Sequence, residues 1–549
     1  MKNSLKRIII LVLSIIVCLG CFSTFAGCNK NNTVVSPQLP STSDTSEIAK
    51  TNIDLVKDGA TDYVIMLPSS ASRYEDYAAS ELIKYFKDAT NCTLTTIIDQ
   101  KVPFNVDNKI ISIGRTSHLV SAGITVDPLE VKNDGYVIKR VGNNVYLCGG
   151  ADSGTVHATY QFLYRQFNFE TFSSTVYNIT KGLNFKLLDL NIIDSPAIAV
   201  RSGVGTEGGE LYTATAIKYG YTFGGTSSKL FNEQSWYYFP HTTFKLVTPA
   251  TYAAAHPDWY AASLGQPCFT STGFKQQFIT NAIEVINKNP GLDYLPIGAE
   301  DSMEYCNCED CTREKELYTL VGIIVRWVND IATELDAYCK SIGRDMQFPL
   351  LGYYDTEYAP VKLASDGTYE PIDPSCVLHE ACPIIFAPMN TGASLYPIAD
   401  PDLNRAALTN IQGWEVCAPA GMMFYLYGGK DFHSFEFFDL SYVVGANARI
   451  GADKDLLMFY QQGGNNIPNA WAFDVMYSYM FGKILWDPYS MDAQVLIERF
   501  MKNYYNEAAD LMLEYYYMMK SFFKLTYMEL KIKPENYDKP FSGTPGDGI

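Results

Sequence analysis

Short apolar runs separated by longer stretches of helical pattern dominate the sequence from about residue 191 onward. Such runs lie at residues 197–201, 294–297, 348–355 and 422–427, and several of them end in polar or charged side chains. This alternation is typical of parallel β-strands connected by α-helices. We therefore predict an α/β chain in which residues 191–485 form a (β/α)8 TIM-like barrel. Its active site would lie at the carboxyl ends of the barrel strands.

The preceding residues, 51–190, also alternate between strand and helix patterns, but in shorter pieces. Strand patterns cover residues 63–67 and 109–114 and a predicted hairpin of 135–138 with 144–147, and helical patterns cover 77–86 and 156–167. We predict a small α/β accessory domain here, in which Cys92 and Cys148 could form a disulfide. Residues 486–549 are predicted to form C-terminal helices and a loose tail.

The N-terminus has the pattern of an export signal. Three positive residues, Lys2, Lys6 and Arg7, precede an apolar stretch at residues 8–19 that is short for a membrane span. The sequence Phe-Ala-Gly-Cys that ends at Cys28 is typical of a lipidated cysteine, and Cys21 is a weaker rival. We predict a lipoprotein signal peptide at residues 1–27 and a flexible tether at 28–50. The protein would then be exported and lipid-anchored at the bacterial cell surface.

Composition narrows the classes of ligand. The chain has 42 Lys and Arg against 60 Asp and Glu, a formal net charge of -18, which argues against nucleic acid and polyanionic substrates. Neutral glycans or peptides fit better, and an aromatic content of 14% would suit the stacking of sugar rings, although aromatic side chains also pack cores. A peptidase is less supported, because neither an HExxH motif nor a G-x-S-x-G motif occurs.

Two adjacent carboxylates follow the apolar run at residues 294–297. Gly298 and Ala299 lead into Glu300 and Asp301, so a buried strand is predicted to present two acids at the barrel rim. Hydrolysis of a glycosidic bond needs one acid to protonate the leaving oxygen and a second group to attack or stabilise the sugar carbon. A solvated acidic loop would explain an isolated pair equally well.

Further acids and aromatics near predicted strand ends are candidates for the same site. Among partner acids Glu357 ranks first, followed by Asp355 and Glu415, each of which could instead be a strand-end charge that bridges to a neighbouring helix. The candidates for substrate binding are Arg201, His241, Trp259, Tyr354, Asp355, Trp414 and Tyr425. Core packing is the alternative for the aromatic residues, and no cofactor is expected for catalysis.

Three cysteines follow the acid pair in a CxCxxC pattern, at Cys306, Cys308 and Cys311. Thiolates at this spacing can bind structural zinc, with Cys268 or Cys339 as the fourth ligand. Outside the cell disulfides are the commoner fate of cysteines. Because a short loop with three thiols cannot pair all of them internally, either zinc or a bridge to a distant cysteine is expected.

Several motifs resemble those of one family. They are His-Pro-Asp-Trp-Tyr at 256–260, the acid and cysteine stretch at 301–311, Tyr-Tyr-Asp at 353–355, Leu-Trp-Asp-Pro at 485–488 and Tyr-Tyr-Asn-Glu-Ala-Ala at 504–509. They resemble the domain of unknown function 4838, to which the glycoside hydrolase family 163 enzymes belong. Residues 51–190 resemble the accessory domain of hexosaminidases and α-glucuronidases, on residues 78–82, 113–115 and 154–163.

The resemblance implies endo-β-N-acetylglucosaminidase activity on N-glycans, with the glycan substrate carried on glycoproteins. It also makes a substrate-assisted mechanism a reasonable hypothesis, because N-acetylhexosaminidases of that kind use an adjacent pair of acids. The leading interpretation is therefore a surface-anchored glycoside hydrolase. The alternative is a non-catalytic carbohydrate-binding lipoprotein, and measurable turnover would separate the two.

Overall fold

The computed structural model describes residues 48–203, 210–222, 236–388, 396–427, 437, 439–462 and 473–525, without the side chains of 210–213. The predicted signal peptide, Cys28, nearly all of the predicted tether and the tail from residue 526 lie outside the described residues. None of the helices in the described ranges is both long enough and apolar enough to span a membrane.

The first part of the chain forms a six-stranded mixed sheet with two main helices. Its strands are β1 Lys50–Val56, β2 Val64–Leu67, β3 Thr96–Ile98, β4 Ile110–Ile113, β5 Tyr136–Val141, β6 Asn144–Gly149, β7 Glu170–Thr171, β8 Tyr177–Asn178, β9 Phe185–Leu188 and β10 Asn191–Asp194. Its helices are α1 Arg73–Thr90, α2 Ser117–Ser121, α3 Pro128–Val131 and α4 Asp152–Phe167. The sheet order is β10-β5-β6-β4-β2-β3, with β1 paired to β9 and β7 to β8 outside it.

Helix α1 shows how local sequence determines an element of this sheet layer. Ser72 and Glu75 form a capping box at its N-terminus, and Asn91 ends it in the left-handed conformation. Apolar residues of α1 and α4, including Leu82 and Phe162, are fully buried in one core with the parallel strands. Cys92 and Cys148 are not bonded to each other in this structure; Cys92 Sγ lies 3.1 Å from the Gly59 carbonyl oxygen.

The second part of the chain is built on a parallel sheet. Its strands are β11 Val200–Gly203, β12 Leu350–Tyr353, β13 Val361–Leu363, β14 Tyr369–Pro371, β15 Ile384–Ala387, β16 Met422–Tyr427 and β17 Met458–Gln462. Its helices are α5 Glu210–Tyr219, α6 Thr243–Leu246, α7 Pro249–Tyr252, α8 Thr272–Lys288, α9 Glu309–Ser341, α10 Arg405–Cys417, α11 Ser441–Asp453, α12 Asp474–Trp486, α13 Ala493–Tyr504 and α14 Ala509–Phe523. The sheet order is β11-β17-β16-β15-β12, all parallel, and β13 and β14 form a separate hairpin.

Two further segments extend this sheet beyond β12. Leu295 N donates to Gln347 O at 3.0 Å and Ile297 N to Pro349 O at 2.9 Å, so residues 294–297 run parallel to the chain that enters β12. Trp236 in turn forms a parallel bridge with Tyr294. Within the described ranges, no hydrogen bond joins Trp236 to β11. The architecture is therefore mixed α/β, and closure into an eight-stranded barrel stays a prediction.

Helices cover the parallel sheet and bury a large apolar core. In α9, Trp327 packs its ring edge-on against Phe269 and also contacts Phe278 of α8. Thr319 has positive φ, and it interrupts the long helix α9 between its cysteine-bearing first part and its buried second part. Helices α13 and α14 pack against each other near α12, where C-terminal helices were predicted.

Arg201 was predicted to bind substrate at the barrel rim, and the structure corrects that prediction. It lies within β11, fully buried, with Nη2 2.7 Å from Asp134 Oδ2. Its other guanidinium nitrogens donate to the backbone carbonyls of Gly220, Ile198 and Ala199. Burial opposes ionisation of Asp134, but Arg201, His157 and two hydroxyl donors hold the pKa of this carboxyl below its ordinary range. Arg201 therefore connects the parallel sheet to the first part of the chain.

The Arg201→Met variant should lose about 3–5 kcal/mol of unfolding free energy, because removing one partner leaves the Asp134 carboxylate buried and uncompensated. Urea unfolding followed by circular dichroism measures the change. Lys288→Met is the control, since Lys288 and Glu284 form an exposed ion pair worth about 0–1 kcal/mol. Equal stability of the two variants would contradict the structural role of the buried pair.

Candidate active site

The carboxyl ends of the parallel segments bring several predicted site residues to one edge of the sheet. Because all of these segments run in one direction, residues that directly follow them lie at the same edge. The described residues of this edge include His241, Glu300, Asp301, Tyr353, Tyr354, Asp355, Tyr425 and Gln462. Residues 204–209, 389–395, 428–436 and 463–472, which come after β11, β15, β16 and β17, lie outside the described ranges.

Asp301 is the exposed carboxylate of the acid pair, and Tyr353 at the end of β12 is its neighbour. Burial raises the pKa of the Tyr353 hydroxyl well above its ordinary value. The charge of Asp301 and hydrogen bonding with Tyr354 and Asp301 raise this pKa further. Tyr353 therefore stays protonated near neutral pH, and its hydroxyl lies close to the Asp301 carboxylate.

Glu300 is half-buried, and hydrogen bonds to other segments of the chain hold it in place. Its Oε1 accepts a hydrogen bond from Phe244 N at 2.6 Å. Its backbone N–H donates to Gln266 Oε1 at 2.9 Å, and Gln266 Nε2 donates back to the Glu300 carbonyl at 2.7 Å. Burial raises the pKa of Glu300, partly offset by the Phe244 N–H and by the nearby His241 and Lys245. Glu300 thus has a fixed position, whereas Asp301 is accessible.

His241, Asp355 and Tyr354 also lie at this edge. His241 Nδ1 is 3.3 Å from the Ala299 carbonyl oxygen, and its ring contacts that of Tyr353 edge-on. Asp355 is exposed directly after β12. Tyr354 has a φ of 48°, which is uncommon for a bulky residue.

Tyr425 belongs to an aromatic layer just below the edge. Its hydroxyl donates to Gln462 Oε1 at 2.7 Å, and its ring packs against Phe239 and Tyr460. Trp236 stacks on Tyr294 in the same layer, with ring centroids 4.2 Å apart. The half-buried position of Tyr425 leaves part of the ring accessible near the predicted sugar site.

Four predicted site residues are enclosed, which corrects their assignment to catalysis or substrate binding. Arg201 was described above, and Glu357 and Trp414 are also fully buried. A short 3-10 turn at Tyr354–Thr356 carries the chain inward after β12, and Trp414 Nε1 then donates to the Glu357 carbonyl at 2.9 Å. Trp259 is buried as well, and it stacks on His256 at 4.0 Å between ring centroids. A further candidate acid, Glu415, forms a surface ion pair with Lys454.

The three cysteines of the CxCxxC pattern meet a fourth from a different segment. The sulfur atoms of Cys268, Cys306, Cys308 and Cys311 all lie within 4.8 Å of one another. Cys339, the other candidate for a fourth ligand, is near the far end of α9 and is not part of this cluster. The donor set is therefore four thiols: Cys268 precedes α8, and the other three lie just before and in the first turn of α9.

Sequence reasoning missed Tyr353 and Gln266. Tyr353 lies in the strand-like stretch at residues 348–355. The sequence alone does not show whether Tyr353 or its neighbour Tyr354 faces the acid pair. Gln266 is fully buried 34 residues before Glu300, and sequence spacing gives no sign of that contact. Its closeness to Cys268 in sequence is the one available signal.

Comparisons with known proteins give one family and several similar folds. The domain of unknown function DUF4838 matches residues 171–517. A family GH115 4-O-methyl-α-glucuronidase, BtGH115A, with specificity for decorated arabinogalactans, is similar in structure with a TM-score of 0.53 and 10% sequence identity. The match covers 86% of this chain and 62% of that chain, so this chain spans less than two thirds of that protein. At this identity the likeness concerns the fold alone.

Two other solved structures are less similar in fold. CpGH84D gives a TM-score of 0.47 at 10% identity, covering 83% of this chain and 70% of that chain. CpGH84B gives 0.45 at 12% identity, covering 84% and 74% respectively. No curated protein sequence matches this chain significantly.

The Glu300→Gln variant should stabilise the protein more at about pH 7.5 than at about pH 4. The folded state raises the pKa of Glu300, so folding favours the protonated carboxyl. The associated stability is fully present below the unfolded-state pKa and is lost as pH rises through the folded-state pKa. An uncharged Gln avoids that loss. Melting temperatures of variant and wild type at both pH values measure the effect.

The wild type measured at the same two pH values is the reference for this comparison. A Glu300→Gln effect that is equal at both pH values would contradict the desolvation of Glu300.

Proposed function

We propose that this chain, which belongs to the DUF4838 family, is a glycoside hydrolase that cleaves a β-glycosidic bond in N-acetylglucosamine-containing glycans of the N-glycan type. The observation that carries the proposal is the position of Asp301. This carboxylate is exposed at the carboxyl edge of a parallel sheet, beside Tyr353, while the adjacent Glu300 is fixed by backbone hydrogen bonds. Catalytic groups of barrel enzymes lie at that edge.

Asp301 would act as the general acid. Its carboxyl proton passes to the glycosidic oxygen as the bond from that oxygen to the sugar C1 breaks. Tyr353 would hold the Asp301 carboxyl group in one orientation through its hydroxyl. After the leaving group departs, the Asp301 carboxylate takes a proton from the water that attacks C1, which restores the acid.

The second group in the proposal is the substrate's own 2-acetamido oxygen, which attacks C1 to form a cyclic intermediate. Asp355 would accept a hydrogen bond from the acetamido N–H and so orient that oxygen. Two features support this choice: Asp355 is exposed after the neighbouring strand, and Glu357, the first-ranked partner acid in the sequence, is enclosed in the core. Glu300 is a positioning residue for Asp301 in this scheme.

The surroundings of the two acids suit a neutral glycan. Tyr354, Tyr425 and His241 offer ring faces and polar atoms at the same edge, and sugar rings stack on such aromatic faces. The net charge of -18 disfavours polyanionic ligands. The similar fold of a family GH115 α-glucuronidase supports the reaction class, although the substrate there is different.

The Asp301→Asn variant should lower kcat/KM by about 10²–10⁴-fold, the usual contribution of a general acid. Release of glycans is measured on an N-glycoprotein, on chitooligosaccharides and on a glucuronide, and turnover is expected on the first. Glu304→Gln is the matched control, since this exposed carboxylate lies three residues further along the same loop. Full activity of Asp301→Asn would contradict the assignment. Wild-type binding without turnover would favour a carbohydrate-binding lipoprotein instead.

The location at the cell surface is part of the proposal and rests on the N-terminal sequence alone. The Cys28→Ser variant should move from the membrane fraction to the soluble fraction after expression in a bacterium, because the lipidated side chain is gone. Cys21→Ser, which changes the rival cysteine, should stay in the membrane fraction. The opposite result for the two variants would place the anchor at Cys21.

A further inference from the structure

We propose that Cys268, Cys306, Cys308 and Cys311 bind a structural zinc ion. This ion would restrict the motion of the loop that carries Glu300 and Asp301. Their sulfur atoms lie within 4.8 Å of one another, and three of the four thiols are buried. Cys268 Sγ is 3.8 Å from Cys308 Sγ and 3.7 Å from Cys311 Sγ. Four thiols from two separate chain segments thus form one cluster.

The spacing of the sulfur atoms fits a tetrahedral metal site. Zinc binds thiolate sulfur at about 2.3 Å, so two sulfurs of one tetrahedral site lie about 3.8 Å apart. These two distances agree with this value, whereas bonded disulfide sulfurs are about 2.05 Å apart. Four thiolates without an open position are typical of structural zinc, and soft sulfur ligands disfavour calcium and magnesium.

The groups around the cluster support thiolate ligands. Cys308 is the N-cap of helix α9, and its Sγ accepts a hydrogen bond from Cys311 N at 3.4 Å. A helix N-terminus favours the negative charge of a thiolate. Thr270 Oγ1 lies 3.2 Å from Cys311 Sγ, and Lys315 Nζ donates to the Cys306 carbonyl at 2.8 Å. Such hydrogen bonds orient metal ligands.

The same two segments determine where the acid pair lies. Gln266, two residues before Cys268, forms the paired hydrogen bonds with the backbone of Glu300. Cys306 comes five residues after Asp301 in the sequence. A zinc ion would therefore link the segment before the acid pair, which includes Gln266, to the segment that follows the acid pair. Cys308, the exposed ligand, lies on the solvent side, where the metal can enter.

The metal content of the purified full chain tests the site directly. We expect about one zinc ion per chain by inductively coupled plasma mass spectrometry, and less than about a tenth of that in Cys308→Ser and Cys268→Ser. Cys339→Ser should keep the zinc, because this buried thiol is outside the cluster. Cobalt exchanged into the wild type should give the visible bands of tetrahedral coordination and a near-ultraviolet thiolate charge-transfer band.

Hydrogen exchange tests whether the metal fastens the acid loop. Removing zinc from the wild type with a chelator should speed amide exchange at residues 298–302, and adding zinc back should reverse it. This comparison does not depend on whether a cysteine variant folds. Zinc content at background after growth with zinc, or two disulfides among the four thiols by mass spectrometry, would overturn the site. Unchanged exchange in zinc-free protein would overturn the fastening role. Neither outcome depends on glycosidase activity.

Discussion

The parallel direction of the second sheet is the constraint on which the candidate active site depends. Parallel pairing joins β11, β17, β16, β15 and β12, and it continues through residues 294–297 to Trp236. Because the strands share this direction, groups far apart in sequence meet at one edge. Asp301 and Tyr353 are 52 positions apart in the chain, and they are neighbours only because their segments run side by side.

Two kinds of contact hold this edge against the rest of the molecule. The buried pair of Arg201 and Asp134 connects β11 to the turn before β5 in the first part of the chain, and the paired hydrogen bonds of Gln266 hold the backbone of Glu300. The four thiols lie next to the second contact. In the proposed enzyme, rigid support of this kind would keep Asp301 oriented while its side chain stays open to a substrate.

Local patterns in the sequence predict the elements better than they predict the site. The run at 422–427 is a strand over its whole length, and the helical pattern at 77–86 lies within α1. Side-chain exposure follows from long-range packing, which local patterns do not contain. Arg201 is buried because Asp134 approaches it from the turn before β5, and Glu357 because the chain turns inward at residues 354–356. The choice of Cys268 over Cys339 likewise needed the fold.

A structure of the Asp301→Asn variant with an N-acetylglucosamine oligosaccharide tests the central claim most directly. The loss of the acid should preserve an intact substrate in the site. We expect the glycosidic oxygen to lie about 2.6–3.2 Å from the side chain of residue 301, with the acetamido group toward Asp355. An oligosaccharide bound away from the carboxyl edge of the parallel sheet, or with its glycosidic oxygen beyond reach of residue 301, would contradict the proposed catalytic role.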